Sequence, residues 1–276
     1  MKNRLISFKE RILSSGIYSL SKKNDNELMW SYYASGHCGY AIMFDTEVLA
    51  NSFDQGKWGG MYKLDMKYSS KLPQFDISKI TKGDINKVLT CFIGNKSKAW
   101  EHEDEYRLVF EKGGKLLKID YRAIKGFVFG CRMGAEDIDY VMSKFIGRDL
   151  LYYKVVLKDD SYKLYLQRLE DKYPTSQKYS PNNVTYDEEE LLKLDKFIDG
   201  VGYKYRSIVE EALNLVSREP FVTEIYQLLV TDDQKYPHII IWTYINQDGN
   251  FRPVRSFEYD VIDGTLVRCK YKHNDH

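Results

Sequence analysis

The sequence predicts an α+β fold of mostly antiparallel strands, followed by a second, smaller α+β domain. In the first two thirds, strand and helix patterns mix without the regular alternation that a doubly wound sheet requires. Residues 172–183 are polar and contain two prolines, which is typical of a linker. Beyond them, helical patterns precede a run of strand patterns, as in helices packed on an antiparallel sheet. The predicted domains are therefore residues 1–171 and 184–276.

The first domain begins with residues 4–13, which predict a short helix or an extended lead-in that ends at Gly16. After it, alternating or continuous short apolar runs indicate strands, and apolar residues every three or four positions indicate helices. In chain order these patterns predict a strand at 17–21, a helix at 28–34, a strand at 40–44, a helix at 46–52, a strand at 61–68, a helix at 77–94, strands at 105–110, 116–119 and 124–130, a helix at 135–145, and a hairpin of strands at 151–157 and 162–167.

The second domain shows two amphipathic helical patterns and then four strand patterns. The helices are predicted at 187–198 and 205–217, and the strands near 224–230, 238–245, 254–261 and 266–271. Trp242 and Tyr244 lie on one of these strands, and such side chains are common on binding surfaces. The sequence therefore leaves room for a protein partner on residues 184–276.

Composition excludes several classes of function. A net charge of +1 gives no overall attraction to nucleic acid or to an anionic membrane. The first residues lack the apolar core of a signal peptide, and no apolar run is long enough to span a bilayer. The four cysteines show no C-x-x-C spacing, so neither a metal site nor a disulfide framework is predicted. We expect a cytoplasmic protein without a membrane partner, and the absence of a Gly-rich phosphate loop argues against P-loop nucleotide hydrolysis.

The most densely charged stretch, at residues 96–107, reads KSKAWEHEDEYR. It places four acids, three bases, a histidine and a tryptophan in twelve residues. Glu103, Glu105 and Arg107 are two apart, and residues two apart share a face of an extended strand. Two neighbouring carboxylates on one face of a sheet repel each other, which is unfavourable unless they serve a function. The stretch is therefore a candidate active site.

A second stretch, at residues 29–45, reads MWSYYASGHCGYAIMFD and places aromatic residues, a histidine and glycines before an apolar strand. Together, the two stretches resemble a bacterial family catalogued as domain of unknown function 2971. The pattern of that family is M-W-x-x-Y-A, H-x-G, an apolar strand ending in F-D, and much later K-x-x-x-W-x-x-E-x-E-x-R. The matching residues are Met29, Trp30, Tyr33, Ala34, His37, Gly39, Phe44, Asp45, Lys96, Trp100, Glu103, Glu105 and Arg107. The resemblance covers residues 17–166.

The chain is also similar, more distantly, to ADP-ribosyltransferases, which have a small split antiparallel sheet. Those enzymes carry a Ser-x-Ser element on one strand and an E-x-E element at the start of a later strand. Residues 19–21 (Ser-Leu-Ser) and 103–105 (Glu-Asp-Glu) follow in the same order. The resemblance implies NAD as the substrate, Glu105 as the carboxylate that stabilises the oxocarbenium-like state, and Glu103 as the group that orients or deprotonates an acceptor.

The resemblance also implies a set of NAD-contacting side chains. Tyr33 and Trp30 would stack on nicotinamide or adenine, and His37 and Arg107 would contact phosphates or hold the glutamates. The full set is Tyr33, His37, Trp30, Ser19, Ser21, Arg107 and Trp100. The acceptor would be a protein or a nucleic acid, and the role an effector in bacterial or phage conflict.

Three alternatives stay open at the level of sequence. The first is a structural ion cluster in which Arg107 pairs with Glu103 or Glu105. The second is a metal-dependent nuclease, with those glutamates and Asp45 as oxygen ligands and the nearby lysines Lys96 and Lys98 on a phosphate. Arg107 counts against this one, because a metal site seldom tolerates a competing cation. The third is a non-catalytic interaction module in anti-phage defence or the stress response.

Overall fold

The computed structural model describes residues 6, 9–10, 12–53, 61–74, 85–114, 116–158, 160–181, 184, 186, 204–232, 235–245 and 254–269. The chain forms two compact units, Met1–Ser176 and Gln177–His276. Within the described ranges, none of the helices combines the length and the apolar character that crossing a bilayer requires.

The first unit alternates short strands and short helices. Its elements, in chain order, are β1 (Gly16–Ser21), α1 (Glu27–Tyr33), β2 (Tyr40–Phe44), α2 (Thr46–Asn51), β3 (Met61–Asp65), β4 (Lys67–Ser69), α3 (Ile85–Phe92), β5 (Asn95–Ser97), a 3₁₀ helix (Lys98–Glu103), β6 (Glu105–Phe110), a 3₁₀ turn (Tyr121–Ala123), β7 (Ile124–Phe129), α4 (Ala135–Ser143), β8 (Leu151–Lys158) and β9 (Ser161–Leu169). The described residues before β1, between positions 6 and 14, are also helical.

These strands form three sheets. The first has the order β1-β6-β3 and is antiparallel throughout. The second has the order β2-β7-β8-β9, in which only β7 and β8 run parallel. The third is the short parallel pair β4-β5. The predicted α+β class, with mostly antiparallel strands, is confirmed.

The second sheet is covered on both faces. Successive side chains of β7 point to opposite faces. Phe127 and Phe129 therefore pack with Tyr152 and α4, while Val128 packs with Trp30 of α1. The first sheet buries Leu108 and Phe110 against α2. Helix α1 is thus fixed by its Trp30 against the second sheet, and its last residue, Tyr33, donates to Glu103 in the 3₁₀ helix before β6.

Two predicted strands differ in the structure. The strand predicted at 61–68 is two strands in different sheets. The Met66 N–H still donates to the carbonyl of Glu105 at the start of β6, whereas the N–H of Lys67 donates to Gly94, just before β5. The strand predicted at 116–119 does not form. Instead, the Asp120 N–H donates to Ser52 Oγ and its carboxylate caps the following 3₁₀ turn, which draws the segment away from any strand edge.

Other predictions fall partly outside the described residues. Helix α3 confirms the second half of the helix predicted at 77–94, and residues 77–84 lie outside the described part. The helix predicted at 187–198 also lies outside it. The described residues of the predicted linker, 172–181, contain neither helix nor strand.

The second unit is one helix on a four-stranded antiparallel sheet. Its elements are α5 (Arg206–Ser217), β10 (Val222–Thr231), β11 (His238–Ile245), β12 (Val254–Ile262) and β13 (Thr265–Arg268), with the strands in sequence order. Helix α5 packs Val209, Ala212, Leu213 and Val216, spaced three or four apart, against one face of the sheet. The helix predicted at 205–217 and the strands predicted near 224–230, 238–245 and 254–261 are confirmed. Strand β13 confirms the start of the strand predicted near 266–271, and residues 270–271 lie outside the described part.

Candidate functional site

The Glu-x-Glu segment lies beside the Ser-x-Ser strand. Strands β1 and β6 pair antiparallel, with Ser21 opposite Glu105 and Ser19 opposite Arg107. The Ser21 hydroxyl donates to the backbone carbonyl of Glu103 at 2.8 Å. Segments more than 80 residues apart in the chain are therefore held together by strand pairing and by one side chain.

The strand predicted at 105–110 is confirmed, but Glu103 lies outside it and does not share a strand face with Glu105 and Arg107 as expected. Residues Lys98–Glu103 form a 3₁₀ helix, and Asp104 adopts a left-handed conformation with φ of 43°. The strand begins only at Glu105. Aspartate tolerates this conformation better than most residues, so the turn after Glu103 is inexpensive. The two carboxylates therefore lie close together because of this turn, and not because alternate residues of a strand share a face.

Glu103 is almost completely buried, with 3% of its surface exposed. Its Oε1 accepts a hydrogen bond of 2.8 Å from the Tyr33 hydroxyl, and its Oε2 accepts one from Lys96 Nζ. A buried carboxylate needs such partners because water no longer solvates its charge. The pKa of Tyr33 is raised, first by its hydrogen bond to Glu103 and then by burial.

Glu105 is held by a bidentate arginine. Its Oε1 accepts from Arg107 Nε at 2.8 Å, and its Oε2 accepts from Arg107 Nη2 at 3.0 Å and from Lys96 Nζ at 3.3 Å. The third nitrogen of Arg107 donates to the carbonyl of Ile93 at 2.5 Å. Fork-like pairs of this kind fix geometry as well as charge. They aim the Glu105 carboxylate in one direction.

Charge and hydrogen bonding keep Glu105 ionised. Burial alone raises the pKa of Glu105, but hydrogen bonds from Arg107 and Ser19, with the charges of Arg107 and Lys96, outweigh it and lower that pKa below its usual value. For Lys96, burial lowers the pKa, but its hydrogen bond to Glu103 and the attraction of both glutamates raise it overall. At neutral pH Glu105 is therefore a carboxylate and Lys96 a cation.

One side of this cluster is open to solvent. Tyr33 is 64% exposed although its hydroxyl reaches Glu103. Trp100 is also exposed, and Lys96 Nζ lies 5.2 Å from the centre of its ring. Ser19 on β1 is exposed as well. An aromatic rim with polar groups thus borders the buried acids, as in surfaces that bind planar ligands.

Two of the predicted contacts are not part of this cluster. Trp30 is only 4% exposed, packs in the core, and donates from Nε1 to the carbonyl of Asn24, so it leaves no ring face for stacking. The role predicted for it is wrong. His37 lies in the loop after α1, with a φ of 71° and Nε2 at 3.2 Å from Ser31 Oγ, and its carbonyl accepts from Arg132. Its role in the geometry is to shape this loop.

Two contributors to the site were missed in the sequence. Lys96 belongs to the family pattern, yet nothing in its spacing showed that it would bridge the two glutamates. Tyr68, on β4, accepts a 2.8 Å hydrogen bond from the Glu105 N–H. Because it lies 37 residues before Glu105, only the tertiary fold reveals it.

The proposed nuclease ligands do not converge. Asp45 caps α2, accepting from the N–H groups of Glu47 and Val48 at 3.1 Å, and its other oxygen faces Lys125 at 3.6 Å. Among the described residues, the only triple of His, Cys, Asp or Glu close enough to hold one ion lies elsewhere, in the second unit. Lys96 occupies the space between the two glutamates. No observation favours the metal-dependent alternative.

A cavity of about 480 Å³ lies near the far end of β6, lined by apolar residues that include Phe110 and Leu49. Phe110 is five residues beyond Glu105 in the same strand. At about 3.3 Å per residue, it lies roughly 16 Å from the glutamates. The cavity is therefore separate from the carboxylate cluster.

Residues 29–108 match a family described as a protein of unknown function, DUF2971. The matched range includes Tyr33 at the end of α1, Lys96, the 3₁₀ helix with Glu103, and the start of β6 with Glu105 and Arg107. No curated protein and no solved structure matches the chain.

Proposed function

We propose that the first unit cleaves the nicotinamide–ribose bond of NAD and transfers ADP-ribose to an acceptor. One observation supports this most directly. Strand β1, which carries Ser19 and Ser21, pairs with β6 so that Ser21 is opposite Glu105, and the Ser21 hydroxyl donates to the carbonyl of the buried Glu103 at 2.8 Å. Serine and glutamate elements are thus neighbours, in the arrangement that the resemblance to ADP-ribosyltransferases implies.

The proposed step breaks one bond and forms one. Nicotinamide leaves with the electron pair of the bond to the ribose, and positive charge develops on the sugar. The Glu105 carboxylate stabilises that charge, and the acceptor then attacks the same carbon while its proton passes to Glu103. Arg107 and Lys96 keep Glu105 ionised, and Lys96 also donates to Glu103. Lys96, whose 3.3 Å bond to Glu105 is the longest in the cluster, is the partner that the ribose displaces.

Trp100 and Tyr33 form the surface on which the rings of NAD would rest. Both are exposed, and aromatic faces stack on nicotinamide and adenine. Ser19 and Ser21 fix the strand that borders this surface. Trp30 has no part in the proposed contacts because it is buried.

The proposal extends to the cellular compartment and the biological role of the protein. We infer that the protein works in a bacterial cytoplasm as an effector in conflict with phage or competitors, where NAD is plentiful. Its four cysteines are free, as expected in a reducing compartment. The acceptor is a protein or a nucleic acid, and we expect residues 184–276 to bring that acceptor to the site.

The test measures NAD consumption. Purified protein is incubated with labelled NAD and with protein, RNA or DNA acceptors. Wild type is expected to release nicotinamide, and Glu105→Gln to lower the rate by at least about a hundredfold, because a charge-stabilising carboxylate becomes neutral. Glu101→Gln is the matched control, since Glu101 is exposed in the same 3₁₀ helix and should keep wild-type activity.

The alternatives predict different results. If no NAD is consumed with any acceptor, and Glu105→Gln only lowers stability, the cluster is a structural ion network and the proposal fails. If nucleic acid is cut without NAD and a chelator stops the cutting, the enzyme is a nuclease. Expression of wild type should slow bacterial growth, and Glu105→Gln should relieve it.

A further inference from the structure

A second cluster of reactive side chains lies in the second unit, away from the carboxylate site. His238, Asp260 and Cys269 place one ligand atom each within 4.8 Å of one another. His238 Nδ1 lies 2.7 Å from Asp260 Oδ1, and His238 Nε2 lies 3.8 Å from Glu258 Oε2. The cluster therefore offers nitrogen, oxygen and sulfur donors from four residues.

Strand pairing builds this cluster. His238 of β11 is directly opposite Asp260 of β12, and the backbone N–H of Cys269, one residue after β13, donates to the carbonyl of Glu258 at 2.9 Å. On β12 the alternate residues Phe257, Tyr259 and Val261 are buried, so Glu258 and Asp260 point to the opposite face of the sheet from α5. The donors therefore share one face, and the strands fix their spacing.

The cluster is reachable by a small ion. The side chain of His238 is 13% exposed, and those of Asp260 and Glu258 are 35% and 41% exposed. Cys269 is partly buried. An ion at this position would have protein donors on one side and solvent on the other.

We propose that His238, Asp260 and Cys269 bind one zinc ion, with Glu258 or water as the fourth ligand. Zinc accepts thiolate, imidazole and carboxylate together in tetrahedral sites, whereas magnesium and calcium prefer oxygen alone. Ligand atoms of such a zinc lie about 3.3–3.8 Å apart. The three donor atoms already lie within 4.8 Å of one another, so small side-chain movements would bring them to that spacing. The three strands β11, β12 and β13 would then be tied at one end.

The cysteine spacing in the sequence gave no sign of this site. The ligands come from residues 22 and nine positions apart, on separate strands, and not from a C-x-x-C pair. Only the antiparallel register brings them together. A search for zinc motifs along the chain therefore does not find it.

Cobalt(II), which replaces zinc and is coloured, tests the proposal on the full chain. Titration of the metal-free protein should give a thiolate-to-cobalt charge-transfer band that saturates at one ion per chain. Cys269→Ser should abolish this band, and His238→Gln should weaken cobalt binding by at least about tenfold. Cys38→Ser is the matched control, because Cys38 is exposed in the first unit and its loss should change nothing.

A second measurement needs no variant. Zinc should slow the alkylation of Cys269 by iodoacetamide, as read by mass spectrometry of its peptide, while Cys38 reacts at an unchanged rate. If the cobalt band is absent or survives in Cys269→Ser, or if zinc leaves the alkylation of Cys269 unchanged, the site does not exist. Neither result depends on NAD cleavage by the first unit.

Discussion

Glu105 is the acid of the site with the most partners, and its contribution to stability depends on its charge. Arg107, Ser19 and Lys96 all favour the ionised form. A carboxylate whose pKa is lower in the folded than in the unfolded chain stabilises the fold above its unfolded value. That stabilisation is lost as the pH falls through the lowered folded pKa, below the usual glutamate value of 4.5.

In the variant Glu105→Gln, the free energy of unfolding should therefore depend less on pH in the acid range. At neutral pH we expect it to lower the free energy of unfolding by about 3 kcal/mol, because Arg107 loses its charged partner in a buried site. As the pH falls from about 5 through the lowered folded pKa of Glu105, the difference from wild type should shrink, because the wild-type carboxyl itself becomes protonated. Urea unfolding at a series of pH values measures this.

Glu101→Gln again provides the control, and its profile should follow that of wild type. A constant gap between wild type and Glu105→Gln across the acid range would contradict the lowered pKa. It would show that the variant acts through packing and not through charge.

At the residue scale, sequence patterns identified Glu103, Glu105 and Arg107 as one site but gave the wrong local geometry. Alternation in a strand assumes extended backbone throughout, and the left-handed Asp104 breaks it. Trp30 shows a second limit, which is that the sequence does not reveal the exposure of a side chain. An aromatic residue beside a motif looks the same in the sequence whether it faces solvent or, as here, the core.

The loop between α1 and β2 follows Tyr33 and packs against the end of β7. The N–H of Gly130, just after β7, donates to the carbonyl of Gly39 at 2.9 Å. The N–H of Arg132 donates to the carbonyl of His37 at 3.1 Å. A Cβ at position 130 would lie 2.0 Å from the carbonyl oxygen of His37, a separation that no packing allows. This close approach of two backbones requires glycine.

Gly130→Ala should therefore force the loop away from β7 and shift α1, which carries Tyr33. We expect a loss of about 3 kcal/mol in the free energy of unfolding, at the upper end for an overpacked site. Gly134→Ala is the control, because its nearest neighbour, 3.3 Å away, is the end of the flexible Asp137 side chain. Urea unfolding of both variants measures the difference. Equal stability of the two would mean that the loop moves without cost.

Elements with strong patterns were predicted well, whereas segments that owe their form to distant contacts were not. The apolar strand Tyr40–Phe44 has the predicted bounds, because continuous apolar residues favour a paired strand. The apolar residues Leu117 and Ile119 also suggested a strand, but they pack against Leu108 and Phe110 without strand pairing. Apolar character predicted their burial and could not distinguish a strand from an irregular segment.

On the scale of the whole molecule, every described partner of Glu103 and Glu105 lies in the unit Met1–Ser176. The strands that position these partners, β1, β4, β5 and β6, lie there as well. Chains made of separate compact units often tolerate division between them. The chemistry proposed for the glutamates should therefore not require residues 177–276.

Removing the second unit separates NAD cleavage from transfer. We expect residues 1–176 alone to release nicotinamide from NAD within about threefold of the full-length rate, since the cluster stays complete. Transfer of ADP-ribose to a macromolecular acceptor should fall much further, because the proposal assigns acceptor binding to residues 184–276. Nicotinamide release and acceptor labelling are measured on the same samples. The inactive controls are Glu105→Gln in the full-length chain and Glu105→Gln in residues 1–176. A fragment that is folded by circular dichroism yet inactive, beside an active full chain, would show that the second unit contributes to the reaction itself.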